Sequence, residues 1–202
     1  MRNQPAGVLT SSRERIREAA KDLFADSGYE LTSTAAICRL ASTSESQLIK
    51  HFGNKQGLLE AIFQYAWEQI NPAVRLATES ISSGRQKFQV MMEMVLNFLG
   101  KDEQLRKLFL LEGRRIRNDG KHVVLVPGFL EFVKIADGIL QELADQGELA
   151  FPPQALRSAM MGAIEGMLRD KMLARSMGFP ADFSDADVRS LCAAFFTASL
   201  RL

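Results

Sequence analysis

GYELTSTAAICRLASTSESQLIKHFGNKQGLLEAIF, residues 28–63, packs two short helices and the start of a third between closely spaced breaks. Thr32, Ser33 and Thr34 offer hydroxyl caps to a helix carrying Ile37, Cys38, Leu40 and Ala41. After Ser42 and Thr43, Ser44 caps a second helix to about Phe52, with Leu48 and Phe52 turned inward. Gly53 and Asn54 break the chain, and Leu58, Leu59, Ile62, Phe63, Ala66 and Ile70 mark a longer helix. Pro72 is expected to kink or end it. Upstream, Ser11 and Glu14 form a capping-box pattern, and Ile16, Ala19, Ala20, Leu23 and Phe24 make one apolar stripe that Gly28 stops. Residues 1–10, with Pro5 and Gly7 and no periodicity, read as a disordered tail. Compact helices with a tight turn between the last two suggest a helix-turn-helix.

From residue 73 onward only helical spacing recurs. Residues 88–99 are apolar nearly all round, which predicts a buried central helix. Leu105, Leu108, Phe109 and Ile116 set the next stripe, and Phe129, Phe132, Val133, Ala136, Leu140 and Leu143 another, ended by Gly147. Pro152 and Pro153 start a long helix through Leu156, Met160, Ala163, Ile164 and Met167. Ser184 caps the last, which carries Val188, Leu191, Cys192, Phe195 and Phe196. The fold class is therefore all-α, with about nine helices in two parts.

The 202 residues, with 25 Lys+Arg against 24 Asp+Glu, argue against a polyanion-coating basic protein. No run reaches the roughly 18 apolar residues of a membrane helix, and the start has no apolar leader core. Cys38 and Cys192 build neither a disulfide framework nor a metal knuckle, so the chain reads as reduced and cytoplasmic, with no membrane partner. His51 and His122 supply no metal pair and no serine triad, and no glycine-rich phosphate loop occurs. Neither an enzyme nor a cofactor or metal is expected.

The stretch quoted above resembles the DNA-binding region of the tetracycline-repressor (TetR) family of bacterial transcription regulators. The resemblance rests on Phe24, Gly28, Tyr29, Thr32, Ser33, Ile37, Ala41, Ser44, Leu48, His51, Phe52, Lys55, Leu58 and Leu59, in order and at matching spacing. It implies a helix-turn-helix DNA-binding domain over residues 11–55 and a helical effector-binding and dimerisation domain over 56–202. Four departures stand out. Ser42 replaces the turn glycine with Thr43 beside it, and Ser46 replaces a recognition-helix glycine. Ile49 replaces a tyrosine that would meet phosphate, and Ala35 a base-reading arginine. A serine in a left-handed turn position costs about 1 kcal/mol.

A recognition helix reads base edges from the major groove. On the second short helix Glu45, Ser46, Gln47 and Lys50 are outward, and Ser44 begins it. Gln47 suits adenine, Lys50 guanine and Glu45 cytosine. Phosphates would be met by Thr32, Ser33 and Thr34 at one helix N-terminus, by His51 and by Lys55. His51 reads equally as a satisfied, half-buried histidine. Arg39, Lys50 and Lys55 face Glu45 alone in residues 31–59, a local positive excess. The Arg114, Arg115, Arg117 cluster reads as solvated surface.

Seven of nine methionines fall between positions 91 and 172 among several phenylalanines, a composition suited to an apolar or amphipathic small effector. The candidate lining is Met91, Met94, Asn97, Phe98, Phe109, Glu112, Phe132, Met160 and Ile164, although most such residues are ordinary core. Glu112 sits inside an apolar stripe and needs a partner, either Arg115 or a ligand. The resemblance further implies pairing of the last two long helices across a two-fold axis, with Gly162, Gly166, Phe195 and Phe196 at the interface. The expected partners are thus a double-stranded, near-palindromic operator, a small effector and a second copy of the chain. The alternative is a helical small-molecule-binding protein of the same fold with weakened or lost operator binding.

Overall fold

A computed structural model describes residues 11–113, 115 and 125–201. The expected tail at 1–10, together with Arg114, Ile116 and Arg117, lies outside the described residues. Those residues form nine helices: α1 (Ser12–Ser27), α2 (Thr34–Leu40), α3 (Glu45–Phe52), α4 (Lys55–Glu79), α5 (Gly84–Lys101), α6 (Glu103–Glu112), α7 (Pro127–Asp145), α8 (Pro153–Met177) and α9 (Asp185–Ala198). An isolated antiparallel bridge joins Leu149 to Leu200. The chain divides into two compact units after Ile62. The expected boundary lay at residue 55; the first turns of α4 instead group with the N-terminal unit, where Leu58 and Leu59 are fully buried.

In the first unit, α1 buries Ile16, Ala19, Ala20 and Phe24, α2 buries Ile37 and Cys38, and α3 buries Leu48. Phe24 packs on Tyr29 with ring centroids 5.1 Å apart. The caps form as the sequence predicts. The Ser11–Glu14 box closes α1, Ser33 accepts from the Ala36 N–H, and Ser44 accepts from the Gln47 N–H. Leu40, by contrast, faces outward. Gly28 turns the chain at φ +83°, and Ser42 sits at φ +50°, alone among the described non-glycine residues in that region. The α2–α3 turn therefore holds the left-handed backbone expected of its missing glycine.

In the second unit, α5 packs against α6, α7 and α9, and α8 against the same three. Phe88 stacks on Phe196 at 4.4 Å. α5 is central but not buried all round: Phe88, Met91 and Leu96 are buried, Glu93 and Asn97 are exposed, and Val95 and Phe98 are half-buried. Its intermediate side borders a cavity instead of close-packed neighbours. Pro72 does not end α4, which continues to Glu79. A proline removes one ladder bond, and here Ile70, Asn71 and Val74 on either side are buried, so tertiary packing outweighs that loss.

Candidate nucleic-acid interface and ligand cavity

α2 and α3 meet through the Ala41–Ser44 turn, and a side-chain bond ties their N-termini together. The Thr34 hydroxyl donates to Glu45 Oε2 at 2.7 Å. Arg15 Nε donates to the Ala41 carbonyl at 3.1 Å and fixes the turn to α1. With Leu48 inward, α3 exposes Glu45, Ser46, Ile49 and Lys50, and Gln47 is half-buried. Ser44 and Ser46 hydroxyls lie 2.8 Å apart at the helix start. This face offers an acceptor, an amide, a cation and small hydroxyls, which is the chemistry that reads base edges. Ile49, 59% exposed, adds an apolar surface able to meet a thymine methyl. Sequence reasoning registered Ile49 only as a missing hydroxyl.

Four expected phosphate contacts, Thr32, Thr34, His51 and Lys55, make hydrogen bonds inside the unit. Thr32 is buried, and its hydroxyl donates to the carbonyls of Gly28 at 2.8 Å and Leu23 at 3.2 Å. Lys55 folds back over the Tyr29 ring, Nζ 4.4 Å from the centroid, and donates to the carbonyls of Tyr29, Thr32 and Glu30. Its three donors therefore close the loop between α1 and α2 in this structure. His51 takes the structural alternative, with Nε2 2.9 Å from the Ser12 hydroxyl. Ser33, Thr34, Lys50 and Arg39 remain on the surface side. Burial pushes the Cys38 thiol above its ordinary range, which leaves it a poor nucleophile. No group of three or more metal-ligating side chains occurs among the described residues.

The second unit holds a partly open cavity of about 520 Å³ between α4, α5, α6, α7 and α8. Trp67, Phe98, Phe109, Phe129 and Phe132 form its aromatic wall, with Ile164 and Leu168 from α8. Trp67 lies 4.8 Å from Phe132, 5.3 Å from Phe129 and 5.6 Å from Phe109 between ring centroids. The polar lining comprises Arg106, Arg157, Ser158 and Glu165. Of the residues expected there, Phe98, Phe109, Phe132 and Ile164 line the cavity. Met91 and Met160 are buried core, and Met94 lies outside the lining. Asn97 accepts from Arg189 at 2.9 Å on the surface, and buried Glu112 pairs with Arg115 at 3.5 Å. Helical periodicity places a residue on an apolar face, but it does not tell a filled face from an empty one.

On α8 and α9 a shallow apolar groove is lined by Ala159, Ala163, Met167, Leu191 and Phe195. Phe195 is 40% and Leu191 57% exposed. Phe196 is not available to a partner, because it is buried on Phe88. A Cβ added at Gly162 or Gly166 would meet nothing within 4 Å, so packing among the described residues does not demand either glycine.

Residues 16–62 match the family model of bacterial regulatory proteins, tetR family. The HTH-type transcriptional regulator YvkB of Bacillus subtilis, itself uncharacterized, is 41% identical over 54 residues, 27% of this chain and 29% of that one. The chain spans less than two thirds of the length of the curated relatives it matches. In fold it is similar to the regulator FadR from Bacillus subtilis in complex with stearoyl-CoA, with TM-score 0.80 and 16% identity over 93% of this chain and 99% of that one. It is also similar to SmeT, the repressor of the Stenotrophomonas maltophilia multidrug efflux pump SmeDEF, with TM-score 0.72 and 19% identity over 95% and 92% of the two chains.

Proposed function

We propose, on the premise that the chain belongs through residues 16–62 to the tetR family of bacterial regulatory proteins, that it is a homodimeric, DNA-binding transcriptional repressor released by a small apolar or amphipathic effector. The observation that carries this reading is the exposed α3 face, presented on a turn fixed from both sides by Thr34–Glu45 and Arg15–Ala41. In it α3 enters the major groove; Gln47 and Lys50 read base edges, and Glu45 and Ile49 sharpen the preference. Ser33, Ser44 and Ser46 flank the phosphates with hydroxyls and helix N-termini, while the Thr34 hydroxyl stays on Glu45. Thr32 and Lys55 hold the unit together instead.

Supporting the effector site are the size of the cavity, its aromatic wall and its few polar groups, the usual make-up of a small-molecule pocket. The solved regulators of similar fold include one holding stearoyl-CoA and one, SmeT, in complex with triclosan. The exposed Leu191 and Phe195, and glycines free of internal packing at 162 and 166, support a dimer through α8 and α9. No described helix is long and apolar enough to cross a membrane, in keeping with a cytoplasmic regulator. Gel retardation of duplex fragments flanking the protein's own gene tests the reading. The wild type should retard at least one fragment, and Ile49→Glu, which puts a carboxylate against the groove, should retard none. Equal retardation of every fragment by both proteins would contradict it.

A further inference from the structure

Resting on the reading of the cavity as an effector site, we infer that its ligand is an amphipathic carboxylic acid whose anionic head pairs with Arg106. α6 carries Arg106 into a cavity whose walls are otherwise dominated by Trp67, Phe98, Phe129 and Phe132. The guanidinium is half-buried and donates through Nη1 to the Leu99 carbonyl at 3.3 Å, near the C-terminal end of α5. Among the described residues its other N–H groups meet no acceptor and no carboxylate lies within ion-pair distance of it; the carboxyl pKa of Asp185 is lowered by its direct partner Lys171 and also by the charge of Arg106. A guanidinium keeps its charge under all ordinary conditions and carries five donors in a planar fork that matches a carboxylate. Leaving such a group at an apolar wall is unfavourable unless an anion completes it.

The other charged groups of the lining are already matched. Arg157 Nε lies 2.6 Å from Asp137 Oδ1, so that cation has its counter-charge. Glu165 has an interaction of its own. Among the described residues, the charge of the cavity left without a direct ion pair is therefore positive and local to Arg106. An apolar chain or ring system fills the aromatic side, and one carboxylate reaches the α5–α6 corner.

Titration of the full chain with dodecanoate, dodecanol and dodecyltrimethylammonium, below their micellar concentrations, tests this through the emission of the single tryptophan, Trp67. Dodecanoate should bind about ten-fold or more tightly than either of the others, the worth of one charge-assisted pair. In Arg106→Gln the ratio of dodecanoate to dodecanol affinity should fall to near one, and Arg106→Lys, which keeps the charge, should restore a preference for the acid. Equal binding of acid and alcohol by the wild type, or a preference that survives Arg106→Gln, overturns the carboxylate assignment and leaves the effector cavity standing. Binding of none of the three probes overturns both.

Discussion

Ser42 is held at φ +50°, where a side chain costs about 1 kcal/mol relative to glycine. Ser42→Gly should therefore raise stability by about 1 kcal/mol in denaturant unfolding, with an unchanged slope. Position and cost were both legible in the sequence, because turn geometry depends on local chemistry. Lys55 was not. A lysine stem is long enough to reach phosphate or to fold back, and only the packed loop at Tyr29–Thr32 decides between them. Lys55→Met should cost about 1–3 kcal/mol, since it strips charge-assisted bonds from three carbonyls, with a correspondingly lower unfolding midpoint. Lys50→Ala, at an exposed position, should leave that midpoint within about 0.5 kcal/mol while weakening DNA binding. If the two variants exchange these phenotypes, the division between structural and DNA-facing lysines is wrong.

The capped helix starts followed from sequence because caps are short-range, whereas the end of α4 beyond Pro72 did not. Ser11–Glu14 and Ser184–Asp187 both form complete boxes, and hydrogen bonds from the serine backbone lower the Glu14 and Asp187 carboxyl pKa values. Groups with lowered folded values contribute above their unfolded pKa. These caps should thus stabilise fully above about pH 4.5 and weaken as pH falls through the lowered values, a trend that Glu14→Gln with Asp187→Asn should flatten. The joint between α4 and α7 was not legible, because it depends on distant residues. Gly128 donates its N–H to Gln64 Oε1 at 2.8 Å and accepts from Asn71 Nδ2 at 2.8 Å, clamped across two turns of α4. A Cβ there would stand 2.7 Å from Trp67 Cβ. Gly128→Ala should force the helices apart, cost about 1–3 kcal/mol and shift Trp67 emission. Unaltered emission and stability would show that the joint yields freely.

At the scale of the whole molecule, the all-α class and the two-part organisation were legible from periodicity and from the residues 28–63. Which apolar side chains face a cavity, the core or a partner was not, as Phe195 and its buried neighbour Phe196 show. Phe195→Glu should place a charge in the α8–α9 face and give monomer by light scattering without unfolding the chain, since the side chain is 40% exposed. An effector that releases DNA should change Trp67 emission with the same midpoint, because Trp67 lines the cavity and lies on α4, the helix whose first turns belong to the N-terminal unit. Selecting bound duplexes from a random pool tests whether α3 reads DNA as part of a two-fold dimer. The wild type should enrich a near-palindrome with half-sites about one helical turn apart, and Gln47→Ala should relax the preference at one matched position in each half. Enrichment of no sequence, or of a site without two-fold symmetry, would contradict it.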